Sequence, residues 1–209
     1  MSIPFQRQQL RKYFIMGTPN CRGKDPVTLL KAALDAGITA FQFREKGKGS
    51  LTGNKKLTLG LTFRHLCLDY NVPFIVNDDI ELAKSLDADW IHVGQDDQPV
   101  ERVREQFPDK IIGLSVSNNH EVQSSPISFV DYVGAGPIFQ TTSKENAKEP
   151  VGLPWIQTLS KKFPNLPIVG IGGITTENAA SVIDSGADGV SVISAITQAE
   201  NIKEAVMGL

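Results

Sequence analysis

The segment Phe41-Gln42-Phe43-Arg44-Glu45-Lys46 alternates in a way that separates two chemistries. In extended backbone successive side chains point to opposite faces, so Gln42, Arg44 and Lys46 share one face and Phe41, Phe43 and Glu45 the other. Phenylalanines suit a layer packed on helices, which turns the two cations inward. Buried cations need an anion, because unpaired charge away from water is prohibitive. That anion is either a ligand or a carboxylate of the protein itself. Two further runs end in acids, Asn77-Asp78-Asp79 and Gln95-Asp96-Asp97. Hard oxygen ligands from two loops suit Mg2+, which takes one or two carboxylates and completes its shell with water and substrate phosphate. Asp79 has the position of a helix N-cap instead. His92 reads as a histidine at the edge of a core with a satisfied hydrogen bond.

Two glycine- and hydroxyl-rich stretches follow. Gly134-Ala135-Gly136-Pro137 leads to Gln140-Thr141-Thr142-Ser143-Lys144, a long loop with hydroxyls and a cation, or simply a solvated loop. Val169-Gly170-Ile171-Gly172-Gly173-Ile174 runs into a helical stretch, and Val192-Ile193-Ser194 stands one unit later. Glycines let backbone N–H groups approach an anion, and a helix start adds positive partial charge. The alternative is a turn packed tightly for its own sake. A cationic, metal-competent region and a backbone-built phosphate region together resemble a device that stabilises an anionic leaving group. The sequence offers no Ser-His-Asp set or cysteine nucleophile, so covalent catalysis is not expected.

The elements that must position these residues alternate. Strand candidates are Tyr13–Met16, Ala40–Phe43, Pro73–Val76, Trp90–Val93, Ile112–Ser115, Tyr132–Gly134, Ile168–Gly170 and Gly189–Ser191. Helix-period stretches separate them: Pro26–Ala36, Leu51–Tyr70, Asp79–Leu86, Val100–Phe107, Asn119–Ser124, Pro154–Phe163, Thr176–Ser185 and Asn201–Val206. Asp25, and Thr175 with Thr176, are the expected caps. Helices close on Ala36-Gly37-Ile38, Leu86-Asp87-Ala88-Asp89 and Ser185-Gly186-Ala187-Asp188, with Asp87 in the place of a glycine. Eight strand–helix units in 209 residues predict an α/β fold, a single (β/α)8 TIM barrel over 1–209, with its site at the strand C-termini. An open doubly wound sheet would carry a glycine-rich turn after the first strand, where Met16-Gly17-Thr18-Pro19 stands.

Composition agrees. The chain is 41% hydrophobic and 21% charged, enough to form a core, which excludes disorder and a disulfide scaffold. Its 21 basic and 23 acidic residues give a net charge of −2, which argues against nucleic-acid or anionic-membrane partners. No leader or spanning segment is recognised, and Cys21 and Cys67 are read as free thiols, so a cytoplasmic protein is expected. The sequence does not specify an oligomeric state.

Gln42-Phe43-Arg44-Glu45-Lys46, Asn77-Asp78, His92-Val93-Gly94-Gln95-Asp96-Asp97, Gly113-Leu114-Ser115, Tyr132 to Phe139, Thr141-Thr142-Ser143-Lys144 and Val169 to Ile174 together resemble the thiamine-phosphate synthase family. The resemblance runs from the first strand to the last helix. It implies a transferase that joins 4-amino-5-hydroxymethyl-2-methylpyrimidine diphosphate to 4-methyl-5-(2-hydroxyethyl)thiazole phosphate, two phosphorylated small molecules. Diphosphate would leave first, and the thiazole nitrogen would capture a pyrimidine carbocation. By the same resemblance, Gln42, Arg44, Lys46, Asn77, Ser115 and Lys144 hold the pyrimidine diphosphate. Of these, Arg44, Lys46, Ser115 and Lys144 are the expected catalytic set. Asp78 and Asp97 bind Mg2+, although Asp96 beside Asp97 leaves the choice of aspartate open. Thr141, Ser143, Gly173, Ile193 and Ser194 hold the thiazole phosphate. Gln140 and Ser143 depart from the family's usual proline and threonine. Two rivals are a thiazole tautomerase-like relative and a non-catalytic barrel that binds a phosphate ligand.

Overall fold

β-Branched and aromatic residues in short runs favour strands, and runs buried on both faces favour a parallel sheet covered by helices. The computed structural model describes residues 5–143 and 148–209. Its strands are β1 (Lys12–Met16), β2 (Ala40–Phe43), β3 (Phe74–Asn77), β4 (Trp90–Val93), β5 (Ile111–Val116), β6 (Tyr132–Ala135), β7 (Ile168–Ile171) and β8 (Gly189–Val192). Each pairs in parallel with the next, and β8 pairs with β1, closing a barrel. The fold is therefore the expected (β/α)8 barrel.

The helices are α1 (Pro26–Asp35), α2 (Gly53–Asp69), α3 (Ile80–Ser85), α4 (Val100–Gln106), α5 (Asn119–Ser124), α6 (Leu153–Lys162), α7 (Ala179–Asp184), α8 (Ser194–Thr197) and α9 (Ile202–Met207). Asp25 and Asp79 cap α1 and α3 as expected, accepting from Thr28 N at 2.8 Å and Leu82 N at 3.0 Å. Five helix starts differ from the sequence reading, α3 and α6 by a single residue each. Leu51 donates its N–H to Glu45 Oε1 at 2.6 Å, which holds it in the preceding loop, so α2 begins at Gly53. Thr175 Oγ1 does accept from Glu177 N at 3.3 Å, but 175–178 forms a turn tied by Asn178 Oδ1, and α7 begins at Ala179. Asn201 is the cap of α9 rather than its first residue. The four-residue α8 is too short to show a period in sequence.

Side chains divide into two layers. Phe14, Phe41, Phe43, Phe74, Ile91 and Val133 point outward into the helix-packed core. Tyr13, Ile15, Ala40, Ile75, Trp90, Tyr132 and Val169 fill the barrel interior. Phe5 closes the N-terminal end against Trp90, with ring centroids 5.3 Å apart. Cys21 and Cys67 are both free and buried. Among the described residues no helix is long and apolar enough to cross a membrane.

Candidate active site

The polar residues singled out in the sequence collect at the C-terminal ends of the strands. A cleft of about 200 Å3 opens there, lined by Gly94, Ser115, Thr141, Ser143, Gly173 and Ser194 among others. Below it, inside the barrel, lies a cavity of about 20 Å3 bordered by Gln42, Asn77, His92, Ser115 and Tyr132. That volume is about the room of one water molecule, so the cavity is a floor and the cleft above it is where a ligand fits. Ser115 lines both.

β2 positions the first group. Gln42 is buried and donates through Nε2 to Tyr13 Oη at 2.7 Å, so it faces inward as the alternation predicts. Arg44 lies just past the strand, partly buried, and its N–H donates to Met16 O at 2.9 Å. Glu45 turns away to tie two loops, accepting from Thr18 N at 2.8 Å and from Leu51. Gly17 permits this, because a Cβ there would meet Arg44 O at 2.0 Å.

Lys46 sits between two carboxylates, donating to Asp78 Oδ2 and, at 3.3 Å, to Asp97 Oδ1. The hydrogen bond to Asp78 raises the Lys46 pKa above its ordinary value. Asp97 Oδ2 also accepts from Gly94 N at 2.7 Å, which ties this cluster to the cleft wall. Asp78 holds a left-handed backbone, φ 52°, and its N–H donates to His92 O on β4 at 2.9 Å. Of the two acids after β4, Asp97 converges with Asp78, while Asp96 lines the cleft. Asp79 is engaged elsewhere, capping α3 and pairing with Lys56 at 2.7 Å.

On the opposite side, the loops after β6 and β7 pack backbone against backbone. Ile138 N donates to Ile171 O at 2.8 Å and Phe139 N to Gly172 O at 3.0 Å. Gly172 and Gly173 have φ of 96° and 64°, and a Cβ on Gly173 would meet Gln140 O at 2.4 Å. The glycines are thus required by close packing, as the simpler reading of that turn held. The same packing leaves the N–H groups of Gly173 and Ser194 with no acceptor among the described residues, at the edge of the cleft. It also places the Gln140 loop without a proline: its position comes from contact with Gly173. Thr141 and Ser143 face this edge, and Ser143 N donates to Thr141 Oγ1 at 3.2 Å. Ile193 lines the cleft beside Ser194. Lys144 lies outside the described residues.

Other residues at the mouth have no role assigned to them in the sequence reading. Gln95 Nε2 donates to Ser115 O at 2.9 Å, holding the strand that carries the serine. Glu121 lines the cleft and pairs with Lys148 at 2.5 Å. Tyr13 reads in sequence only as a strand residue, and Tyr132 as a strand residue and part of a family motif without a role of its own, yet they join Gln42 to His92 through buried hydroxyls. Their inward register beside a polar Gln42 was the available hint.

The family model described as thiamine monophosphate synthase matches residues 12–196. A thiamine-phosphate synthase of Oceanobacillus iheyensis is 60% identical over 207 residues, covering 99% of this chain and all of that one. Thiamine-phosphate synthase 1 of Streptococcus pneumoniae is 50% identical, covering 97% of each chain. Among solved structures, the thiamine phosphate pyrophosphorylase of Pyrococcus furiosus superposes with a TM-score of 0.85 at 33% identity, covering 97% of this chain and 95% of that one. A 3-hexulose-6-phosphate synthase, with a TM-score of 0.64 at 13% identity, shares the fold alone.

Proposed function

The chain belongs to the thiamine monophosphate synthase family, and on that premise we propose how the mouth of its barrel carries out the transfer. The enzyme joins the hydroxymethylpyrimidine diphosphate to the hydroxyethylthiazole phosphate, yielding thiamine phosphate and diphosphate. One observation carries the assignment of substrates to ends: Asp97 of the carboxylate–lysine cluster is tied to Gly94 in the cleft wall, while Gly173 and Ser194, whose N–H groups have no acceptor among the described residues, line the same cleft.

The thiazole phosphate binds at Gly173, Ile193 and Ser194, where backbone N–H groups are aimed at an anion, with Thr141 and Ser143 closing the other side. Backbone donors fixed by packing need no rearrangement when charge arrives. The pyrimidine diphosphate lies over Gln42, Asn77 and Ser115, with its phosphates toward Arg44, Lys46 and Lys144. Asp78 and Asp97 would hold Mg2+, and the donor set fits: their carboxylates already converge on one cation, the Lys46 ammonium. Two carboxylates leave room for water and phosphate oxygens, the shell Mg2+ prefers. When bound, Mg2+ would supply Lewis-acid stabilisation of the leaving diphosphate.

The protein's own part is to hold and to neutralise. Arg44, Lys46 and Lys144 disperse the charge that gathers on the bridging oxygen as the C–O bond lengthens. Loss of diphosphate leaves a pyrimidine cation, which the thiazole nitrogen captures from across the cleft. The nitrogen attacks with its own lone pair, so no general base is required. The loops after β6 and β7 fix the distance between the partners, which converts their encounter into a unimolecular step. We further propose a single barrel domain over 1–209, working in the cytoplasm, a location that suits two free thiols.

Incubation with both substrates and Mg2+ should release thiamine phosphate and diphosphate in equal amounts, and neither when one substrate is omitted. A folded preparation that makes no thiamine phosphate would overturn the proposal and favour a tautomerase-like or purely binding role.

A further inference from the structure

Four buried polar side chains and the partly buried Ser115 form an unbroken line across the barrel interior. Gln42 Nε2 donates to Tyr13 Oη at 2.7 Å, Tyr13 Oη meets Tyr132 Oη at 3.0 Å, Tyr132 Oη meets His92 Nδ1 at 3.0 Å, and His92 Nε2 meets Ser115 Oγ at 2.9 Å. The line begins at the floor and ends on the residue that borders the cleft. The barrel wall is shaped around it. A Cβ on Gly113 would lie 2.5 Å from both His92 Nδ1 and Tyr132 Oη, wedged into their hydrogen bond. A Cβ on Gly134 would press on the His92 ring at 3.3 Å. Two glycines in neighbouring strands, where glycine is otherwise a weak choice, make the room.

Each phenol has one proton, so a chain of this kind has a direction. Tyr13 accepts from the Gln42 amide, so its own proton goes to Tyr132. Tyr132, accepting there, donates to His92 Nδ1. Nδ1 is then an acceptor, and a neutral His92 carries its proton on Nε2 and donates to Ser115 Oγ. We propose that this oriented chain makes His92 a positioning residue. It holds the Ser115 oxygen through Nε2–H and so turns the serine's own O–H into the cleft, as a donor to the pyrimidine diphosphate. The inference rests on the proposed place of Ser115 beside that substrate. The chain's direction is a property of the ligand-free protein and stands or falls separately. With the Gln42 amide reversed, every bond would run the other way and Ser115 would spend its proton on His92.

Nitrogen-15 NMR of histidine-labelled, ligand-free protein at a pH where the ring is neutral reads the tautomer directly. The expected spectrum places the His92 proton on Nε2. A proton on Nδ1, or an even mixture of the two, would overturn the proposal. Tyr132→Phe removes one hydroxyl and keeps the ring's packing. It should erase the tautomer preference and lower kcat about tenfold, the worth of roughly one hydrogen bond, with KM for the thiazole phosphate unchanged. In a Ser115→Ala background the same change should cost nothing further. An equal loss of kcat in both backgrounds would mean that Tyr132 serves packing only, and would also overturn the proposal. Absence of turnover in the unaltered protein would instead strike the synthase reading and leave the tautomer result to be judged on its own.

Discussion

Lys46 is half exposed and paired with two acids, so its contacts count for little in stability and for more in placement. The ammonium occupies the point between Asp78 and Asp97 that a divalent cation would take, and Mg2+ arriving with diphosphate would free Lys46 for the phosphates. Asp78→Asn removes one of the two proposed anionic ligands and should raise the Mg2+ concentration for half-maximal turnover at least tenfold. KM for the thiazole phosphate should stay the same, and steady-state kinetics at varied Mg2+ reads both. Gly173 makes the complementary case. A methyl there meets Gln140 O and must accept φ of 64°, so Gly173→Ala should displace the loop that carries Thr141 and Ser143. We expect KM for the thiazole phosphate to rise about tenfold and stability to fall by ~1–3 kcal/mol, read by kinetics and by urea unfolding. Residue types were legible at these points because their chemistry is local: Gln42, Asp78 and Gly173 follow from alternation and turn preference. Which of Asp96 and Asp97 converges with Asp78 was not legible, since it depends on how the β4 loop curls back so that Asp97 reaches Gly94 N.

At the level of elements, each even strand is preceded by a residue that fastens the strand before it. Thr39 Oγ1 accepts from Lys12 N at 2.8 Å, Asp89 Oδ2 from Phe74 N at 2.9 Å, Asp131 Oδ2 from Ile112 N at 2.8 Å and Asp188 Oδ2 from Ile168 N at 2.8 Å. Arg64, Arg104 and Arg7 pair with the three aspartates in turn, linking flanking helical segments to the N-terminal rim. These contacts lie at the end away from the cleft, where conservation of register serves stability rather than chemistry. Asp131→Ala leaves the Ile112 N–H without this acceptor and Arg104 without its carboxylate, and should destabilise the fold by ~1–3 kcal/mol. The exposed Asp109→Ala should have little effect, and thermal unfolding of the two variants distinguishes them. The sequence displayed the turns that precede these residues: Gly37, Asp87 and Gly186 all adopt positive φ, at 91°, 45° and 104°. It did not display the fastening, because an aspartate finds its partner only once two strands are in register. The helix starts at Gly53 and Ala179 were hidden for a related reason, as Glu45 and Asn178 hold the preceding residues in loops.

The whole molecule combines a nearly neutral surface with a polar line through its interior. That interior makes stability sensitive to alkali. Burial raises the pKa of Tyr13, Tyr132 and Cys67 above their ordinary values of 10.0, 10.0 and 9.0. A raised folded pKa contributes stability that is complete below the unfolded value and is lost as pH climbs toward the folded one. Unfolding free energy should therefore lose this contribution from about pH 9 upward and fall more steeply above about pH 10, measured by urea titrations across that range. The net charge of −2 foretold none of this and was silent about ligands, because a site for small anions needs only a few local side chains and N–H groups at one rim. Length and alternation were the better guides to the barrel, since eight strand–helix units leave one way to close a parallel sheet in so short a chain. The central claim is that each substrate's phosphate has its own side of a shared cleft. A crystal structure grown with thiamine phosphate, diphosphate and Mg2+ tests it most directly. The ester phosphate should lie on the N–H groups of Gly173 and Ser194, with diphosphate and metal between Asp78, Asp97 and Arg44. The reverse placement, or diphosphate bound away from Asp78 and Asp97, would contradict it.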